Sequence, residues 1–330
     1  MDITVLKPGL LTTIQDMGRP CHQKYGVIVS GAMDTYAARL SNIIVGNPEN
    51  EAVLEITLIG PSLKLEKGTL FSLTGANLSP TIDGKSIPIG RTIYLIKDCI
   101  LEFGTCINGC RSYLAVAGGF DVTIVMNSKS TYLRAGFGGF KGRALKKNDV
   151  LKIGTKSEVA TTIVKKFSGD DTFVLSPWHL KSFIDINSEN TVIRVFESRN
   201  FKDFKEESIK KFFSTKFTVS SKSDRMGYKL FGEKIELKHT MEMISEPVNL
   251  GTIQIPPDGN PIILLGDRQT TGGYPKIANV ASVDIQKIAQ LKPNDKITFK
   301  KITLEEAEQL HFERETIVSK LKESINLMLV

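Results

Sequence analysis

The sequence has little cysteine. Its four, Cys21, Cys99, Cys106 and Cys110, are too few and too irregularly spaced across 330 residues for a disulfide framework, and a reducing compartment fits. Zinc is poorly served too: Cys106 and Cys110 have no second pair, and His22 adjoins only Cys21, so no metal site is expected. No apolar run approaches the ~20 residues that cross a bilayer. The opening segment Met1 to Gly9 lacks the basic region, apolar stretch and cleavage site of a signal peptide. A soluble cytoplasmic protein without a membrane partner is the expectation. The chain also lacks a Gly-Lys-Ser/Thr phosphate loop and a strand-to-helix dinucleotide fingerprint, which excludes the standard nucleotide folds. Its net charge of +7 comes from 43 basic and 36 acidic residues spread along the whole length. With no basic block interleaved with aromatics, a nucleic-acid partner is not expected.

What is present is strand-like. Short apolar runs alternate with Gly, Pro, Asn and Asp punctuation, the pattern of an all-β barrel or sandwich. Strands are expected at 52–58, 69–74, 92–96, 100–103, 113–117, 192–196, 261–265 and 296–300. Helices are few. Asp34 can cap one carrying Ala37, Leu40, Ile43 and Ile44 on one face. Residues 282–290 and 204–213 suit two more. From Thr303, with Glu306 at capping-box spacing, Leu304, Ala307, Leu310, Ile317, Leu321 and Ile325 recur as in a long amphipathic helix. The length is about twice that of a typical domain. A polar, lysine-containing stretch at 155–169 marks the boundary between domains 1–160 and 161–330.

Four polar clusters punctuate these strands. The first is Thr12 to Arg19 with Ser30-Gly31-Ala32-Met33-Asp34, where Gln15, Asp16 and Arg19 either address a ligand or brace a loop. The second runs from Arg111 to Arg143, through Ala117-Gly118-Gly119-Phe120 and Arg134 to Gly142; its glycines let a backbone approach an anion, or merely turn between strands. The third is Ser223-Asp224-Arg225-Met226-Gly227-Tyr228. The fourth joins Gly251 to Gly259 with Gly266-Asp267-Arg268-Gln269-Thr270-Thr271-Gly272-Gly273-Tyr274-Pro275, polar groups held on a stiff backbone at a strand exit. Asp16-Met17-Gly18-Arg19 and Asp224-Arg225-Met226-Gly227 faintly echo each other. Lysine outnumbers arginine almost three to one, yet six of the eleven arginines lie in or beside these clusters, as planar bidentate contacts would require.

With these clusters in order, the sequence resembles the KipA family, the C subunits of 5-oxoprolinase, related to allophanate hydrolase subunit 2 and the carboxyltransferase region of urea carboxylase. The resemblance rests on Pro8-Gly9, Thr12 to Arg19, Ser30 to Asp34, Ala117 to Phe120, Ser223 to Gly227, Asp267 to Pro275 and Ala289-Gln290-Leu291-Lys292-Pro293. Departures stand at Cys21-His22, at Asn127 and Lys129, and at Glu197-Ser198-Arg199. The resemblance implies two cyclophilin-like β-barrel domains. It further implies one component of an ATP-dependent 5-oxoprolinase, working with the A and B subunits, a KipI-like partner among them, to open a lactam to L-glutamate. ATP, with or without magnesium, is the cofactor implied, and a homo-oligomer is compatible.

On that basis Asp16, Asp34 and Asp267 are the candidate bases or magnesium ligands. Gln15, Arg19, Arg111, Arg225, Gln254, Arg268, Gln269 and Thr270 are candidates for holding substrate. Arg134, Gly138, Gly139 and Arg143 are candidates for holding phosphate. A biotin-dependent carboxyltransferase component is the rival reading, in which biotin rides on another chain because Met241-Glu242-Met243 lacks the lysine of a carrier motif. A non-catalytic regulator that binds a kinase-inhibitor partner is the third.

Overall fold

A computed structural model describes residues 1–181 and 186–327. Compactness divides the chain into two units. The first comprises Met1–Arg19, Ser30–Ile184 and Ile317–Val330; the second comprises Pro20–Val29 and Asp185–Thr316.

The first unit holds two six-stranded sheets. One runs Val150–Lys152, Asp2–Lys7, Ser62–Leu65, Cys99–Glu102, Thr81–Ile82 and Lys85–Ser86. The other runs Phe173–Leu175, Thr92–Leu95, Leu70–Asn77, Asn108–Val116, Val53–Thr57 and Leu11–Gln15. Ile3, Val5, Leu63 and Leu101 from the first sheet meet Leu54, Phe71, Leu73 and Leu114 from the second in one dry core. Because side chains alternate along a strand, the intervening Val53, Leu70, Tyr113 and Ala115 emerge on the opposite face, where the helix Thr35–Ile44 covers them. That helix starts where expected: the Asp34 carboxylate accepts from the Ala37 amide at 2.9 Å.

Two closed barrels were the expectation, and among the described residues only the second unit contains one. In the first unit, two sheets stacked face to face bury the apolar side chains, so closure by a continuous hydrogen-bonded ring is not required. Around the barrel the strands run Thr191–Glu197, Lys276–Val280, Thr252–Gln254, Ile262–Leu264, Gly227–Phe231, Phe217–Val219 and Lys296–Lys301, the last returning parallel to the first. Phe212, Phe217 and Phe299 pack together there, with Phe212 and Phe299 stacked at 4.4 Å between centroids.

The stretch at 155–169 contains a helix. Ser157 caps a helix, Glu158–Lys165, which buries Ala160 and Ile163 in the core of the first unit. The capping box at the last helix, Leu304–Leu327, is formed in both directions: the Thr303 amide donates to Glu306 Oε2 at 2.7 Å, and the Glu306 amide donates to Thr303 Oγ1 at 3.1 Å.

Candidate functional site

In the first unit the first two clusters come together, but as a packed polar core. The Asp16 carboxylate is 7% exposed and accepts from four donors: the Gly18 amide at 2.7 Å, Ser128 Oγ at 2.7 Å, the Lys129 amide at 2.6 Å, and Ser130 Oγ. With its lone pairs so engaged it holds the 128–131 loop. Gln15 donates to Thr131 O and Thr13 Oγ1, while its own Oε1 is buried without a partner among the described residues. Arg19 is wholly buried, donates to Ser130 O, and lies over the Phe137 ring at 5.0 Å.

The glycines of this region serve packing. A Cβ on Gly138 would strike Ser130 O, and one on Gly139 would strike Thr131 Oγ1. Arg143 closes in a bidentate pair on Asp149, at 2.7 and 2.8 Å, which holds the Asp149 carboxyl below its ordinary range. Arg134 is exposed. Of the residues expected to hold phosphate, the two glycines are thus packed, Arg143 is ion-paired and Arg134 is at the surface.

A buried network not foreseen in the sequence runs beside them. Glu55 Oε2 accepts from Tyr113 Oη at 2.9 Å and from the Met33 amide at 2.7 Å, Tyr113 Oη accepts from the Asp34 amide at 2.8 Å, and Arg111 Nε lies 4.0 Å from Glu55. Burial, with Glu55 and Asp34 nearby, raises the Tyr113 phenol well above its ordinary value. Arg111 and Asp34 thus anchor the strand Asn108–Val116 to the N-terminus of the helix.

The third and fourth clusters lie in the second unit. Arg225 and Asp267 pair at the ends of the neighbouring strands Gly227–Phe231 and Ile262–Leu264, Nε to Oδ2 at 2.9 Å and Nη2 to Oδ1 at 3.1 Å. At its edge the short strands Glu246–Pro247 and Thr271–Gly272 pair, and the Val248 amide donates to Thr270 O at 3.2 Å. Beneath this strap lie Arg268, Gln254 and Lys276. Arg268 Nε donates to Val248 O at 3.4 Å and its Nη1 to Leu265 O at 3.3 Å. Among the described residues it has no carboxylate partner, and burial alone pushes its pKa below the usual guanidinium range. Gln254 is buried, its Nε2 donating to Tyr274 O at 3.4 Å. Gln269 and Thr270 flank the strap half-buried.

Lys276 and Glu246 were missed in the sequence. The buried Lys276 Nζ donates to Glu246 Oε2 at 2.9 Å and to Pro247 O at 3.3 Å; Arg199 Nη1 reaches Glu246 Oε1 at 2.8 Å. The signal available was Lys276 directly after the rigid Gly272-Gly273-Tyr274-Pro275 run. Two of the departures noted above are also placed: Lys129 pairs with Glu51 at 2.6 Å, and Arg199 with Glu246. Among the described residues no group of three or more metal-ligating side chains is gathered. No helix among them is long and apolar enough to cross a membrane.

The profile of the carboxyltransferase domain, subdomain A and B, matches residues 25–301. The chain belongs to this family. Among its curated relatives, the 5-oxoprolinase C subunit of Haemophilus influenzae is 34% identical over 98% of this chain and 99% of its own length. The Escherichia coli protein of that name is 34% identical over 92% and 93%. Among solved structures, the urea carboxylase of Kluyveromyces lactis superposes with a TM-score of 0.87 at 30% identity, over 98% of this chain and 29% of that one. The urea amidolyase of K. lactis gives 0.86, and this chain spans only 20% of it. In the second unit of this chain Arg268, Gln254 and Lys276 gather under the strap.

Proposed function

We propose that this chain is the C subunit of a cytoplasmic, ATP-dependent 5-oxoprolinase that works with the A and B subunits, a KipI-like partner among them, to open 5-oxo-L-proline to L-glutamate. The observation that carries this reading is similarity over nearly the whole length of two bacterial proteins bearing that name. Arg268 supports it on chemical grounds. A desolvated guanidinium with no acidic partner among the described residues favours a substrate carboxylate, and Gln254 beside the strap offers an amide that can both donate and accept toward a lactam. Lys276, neutralised by Glu246, positions the strap. Asp16, Asp34 and Asp267 are all committed to internal contacts, so the base that activates water belongs to one of the partner proteins. ATP would supply the activation of the lactam oxygen. The division into two cyclophilin-like domains, 1–160 and 161–330, belongs to the same proposal and is supported by the closed barrel of the second unit.

The test is ATP-coupled glutamate release by the purified three-chain complex. Arg268→Met should raise the KM for 5-oxoproline more than tenfold. Absence of coupled release from the parent complex overturns the assignment.

The superposition on K. lactis urea carboxylase favours one second reading, a carboxyltransferase component served by biotin on another chain. An avidin-reactive protein co-purifying with this chain, with carboxyl transfer in place of glutamate release, would establish it.

A further inference from the structure

Arg268 and Lys276, the two cations under the strap, are held by one short stretch of backbone. Arg268 Nε donates to Val248 O at 3.4 Å and Lys276 Nζ to Pro247 O at 3.3 Å, both longer than the ~2.9 Å usual for such a bond. The charge that meets them there comes from Glu246. Its Oε2 accepts from Lys276 at 2.9 Å and its Oε1 from Arg199 at 2.8 Å, whereas Arg268 has no carboxylate partner among the described residues. Three cations are thus attached to this stretch, and the carboxylate that pairs with two of them is supplied by the chain itself.

The stretch has the make-up of a segment that lifts. Its ends are fixed: the Lys238 amide donates to Asp203 O at 2.8 Å, while the Asn249 amide donates to Thr252 Oγ1 and the Thr252 amide to Asn249 O, each at 3.2 Å. Between those anchors, residues 239–245 adopt neither helix nor strand and, among the described residues, make no backbone–backbone hydrogen bond. Ile244 is 88% exposed. The ladder of Glu246–Pro247 to Thr271–Gly272 is short, extended only by the Val248 amide bond to Thr270 O at 3.2 Å. Few bonds along a loop with fixed ends make local opening inexpensive, and the one ionic tie across it is Glu246.

We propose that residues 239–248 form a gate over Arg268, latched by Glu246, and that the carboxylate of the incoming substrate takes the place of Glu246 at Lys276. This rests on the reading of Arg268 as the group that receives the substrate carboxylate. Opening alone leaves the buried Lys276 ammonium without its acid partner, which opposes it. A bound carboxylate removes that opposition, so substrate and opening favour each other. Glu246 is then a positioning residue that competes with the substrate: without its charge the open form gains population, and less substrate suffices to fill it.

Two measurements test this. The first, hydrogen exchange at the Val248 amide, uses the purified chain and needs no substrate. Glu246→Gln should speed that exchange at least tenfold while the barrel strand Thr252–Gln254 keeps the parent rate; an unchanged Val248 rate, or a rise shared by the whole barrel, overturns the gate. The second uses the three-chain complex. Glu246→Gln should lower the KM for 5-oxoproline at least threefold with kcat within twofold of the parent; an unchanged or raised KM, as a merely structural role predicts, overturns the competition. A lock that leaves Glu246 in place is Pro247→Cys with Thr271→Cys, residues directly opposite in the ladder, where a pair not bonded through its backbones has Cα atoms about 4.5 Å apart. Oxidation of that variant should stop glutamate release and a reductant should restore it; release from the cross-linked form overturns the gate. A parent complex that releases no glutamate refutes the reaction assigned above and not the gate, which the exchange rate then decides.

Discussion

Arg225 grips Asp267 through two hydrogen bonds, and the backbones of the same two residues are joined as well, the Asp267 amide donating to Arg225 O at 2.8 Å. Both side chains are nearly sealed from water, at 6% and 8% exposure. Removing one partner strands a buried charge, which costs about 3–5 kcal/mol. Arg225→Ala or Asp267→Ala should therefore lower the melting temperature sharply, whereas Arg225→Met combined with Asp267→Leu should recover much of the loss. Calorimetric unfolding of the four proteins checks this. A loss of activity in either single variant without a loss of stability would instead return the pair to the site.

Glycines 136 and 138 separate conformational need from packing need. Both have positive φ, +68° and +71°, but a Cβ on Gly136 meets nothing within 4 Å, whereas one on Gly138 runs into Ser130 and Arg19. Gly136→Ala should cost about 1 kcal/mol through backbone strain alone. Gly138→Ala should abolish the native fold of the first unit, seen as lost cooperativity in urea unfolding.

Thiol chemistry should follow burial. Cys21 is exposed, whereas Cys99 and Cys110 are buried. Burial, reinforced by Asp83 and Asp98, pushes the Cys99 thiol up to about 12. At pH 8 an aromatic disulfide reagent should modify Cys21 rapidly and leave Cys99 intact until the chain is unfolded; mass spectrometry of peptides assigns the sites.

Asp149 makes stability depend on acid. The bidentate Arg143 contact and the Lys146 amide, at 2.7 Å, hold its carboxyl below the ordinary range. A group with a depressed folded pKa contributes stability that is present above its unfolded value, ~3.9, and is lost as pH falls through the folded value. Asp149→Asn should lower stability by about 1–3 kcal/mol between pH 5 and 8. The gap to the parent should narrow below about pH 4 in denaturant midpoints measured across that range.

Local signals were legible in the sequence because local chemistry sets them. Asp34 caps its helix, and Thr303 with Glu306 forms the capping box. The faint echo between the halves has a geometric meaning: the Asp16 carboxylate accepts from the Gly18 amide, and the Asp224 carboxylate from the Met226 amide, the same bond two residues on. The strand runs fell close to the observed ones, as with Thr191–Glu197 and Lys296–Lys301. Partnership across the chain was not legible. Glu55 reads as an ordinary strand residue until register places it near Tyr113 and Arg111. Lys276 reads as a surface lysine until the strap brings Glu246 over it. Nothing in a run of glycines and arginines distinguishes a phosphate cradle from close packing, which depends on what Ser130 and Thr131, adjacent in sequence to neither glycine, do with the space.

The division of the chain into its two units also constrains the order of events during synthesis. The second unit draws on Pro20–Val29 and ends at Thr316, and the first is completed only by the segment that begins at Ile317, with Val318 and Ile325 entering its core. A ribosome releases that segment after all the others described. Of the first unit's two buried clusters, the one between the sheets takes no residue beyond Leu175, whereas the one under the helix Thr35–Ile44 includes Val318 and Ile325, so a truncation that drops the final helix leaves that second cluster incomplete.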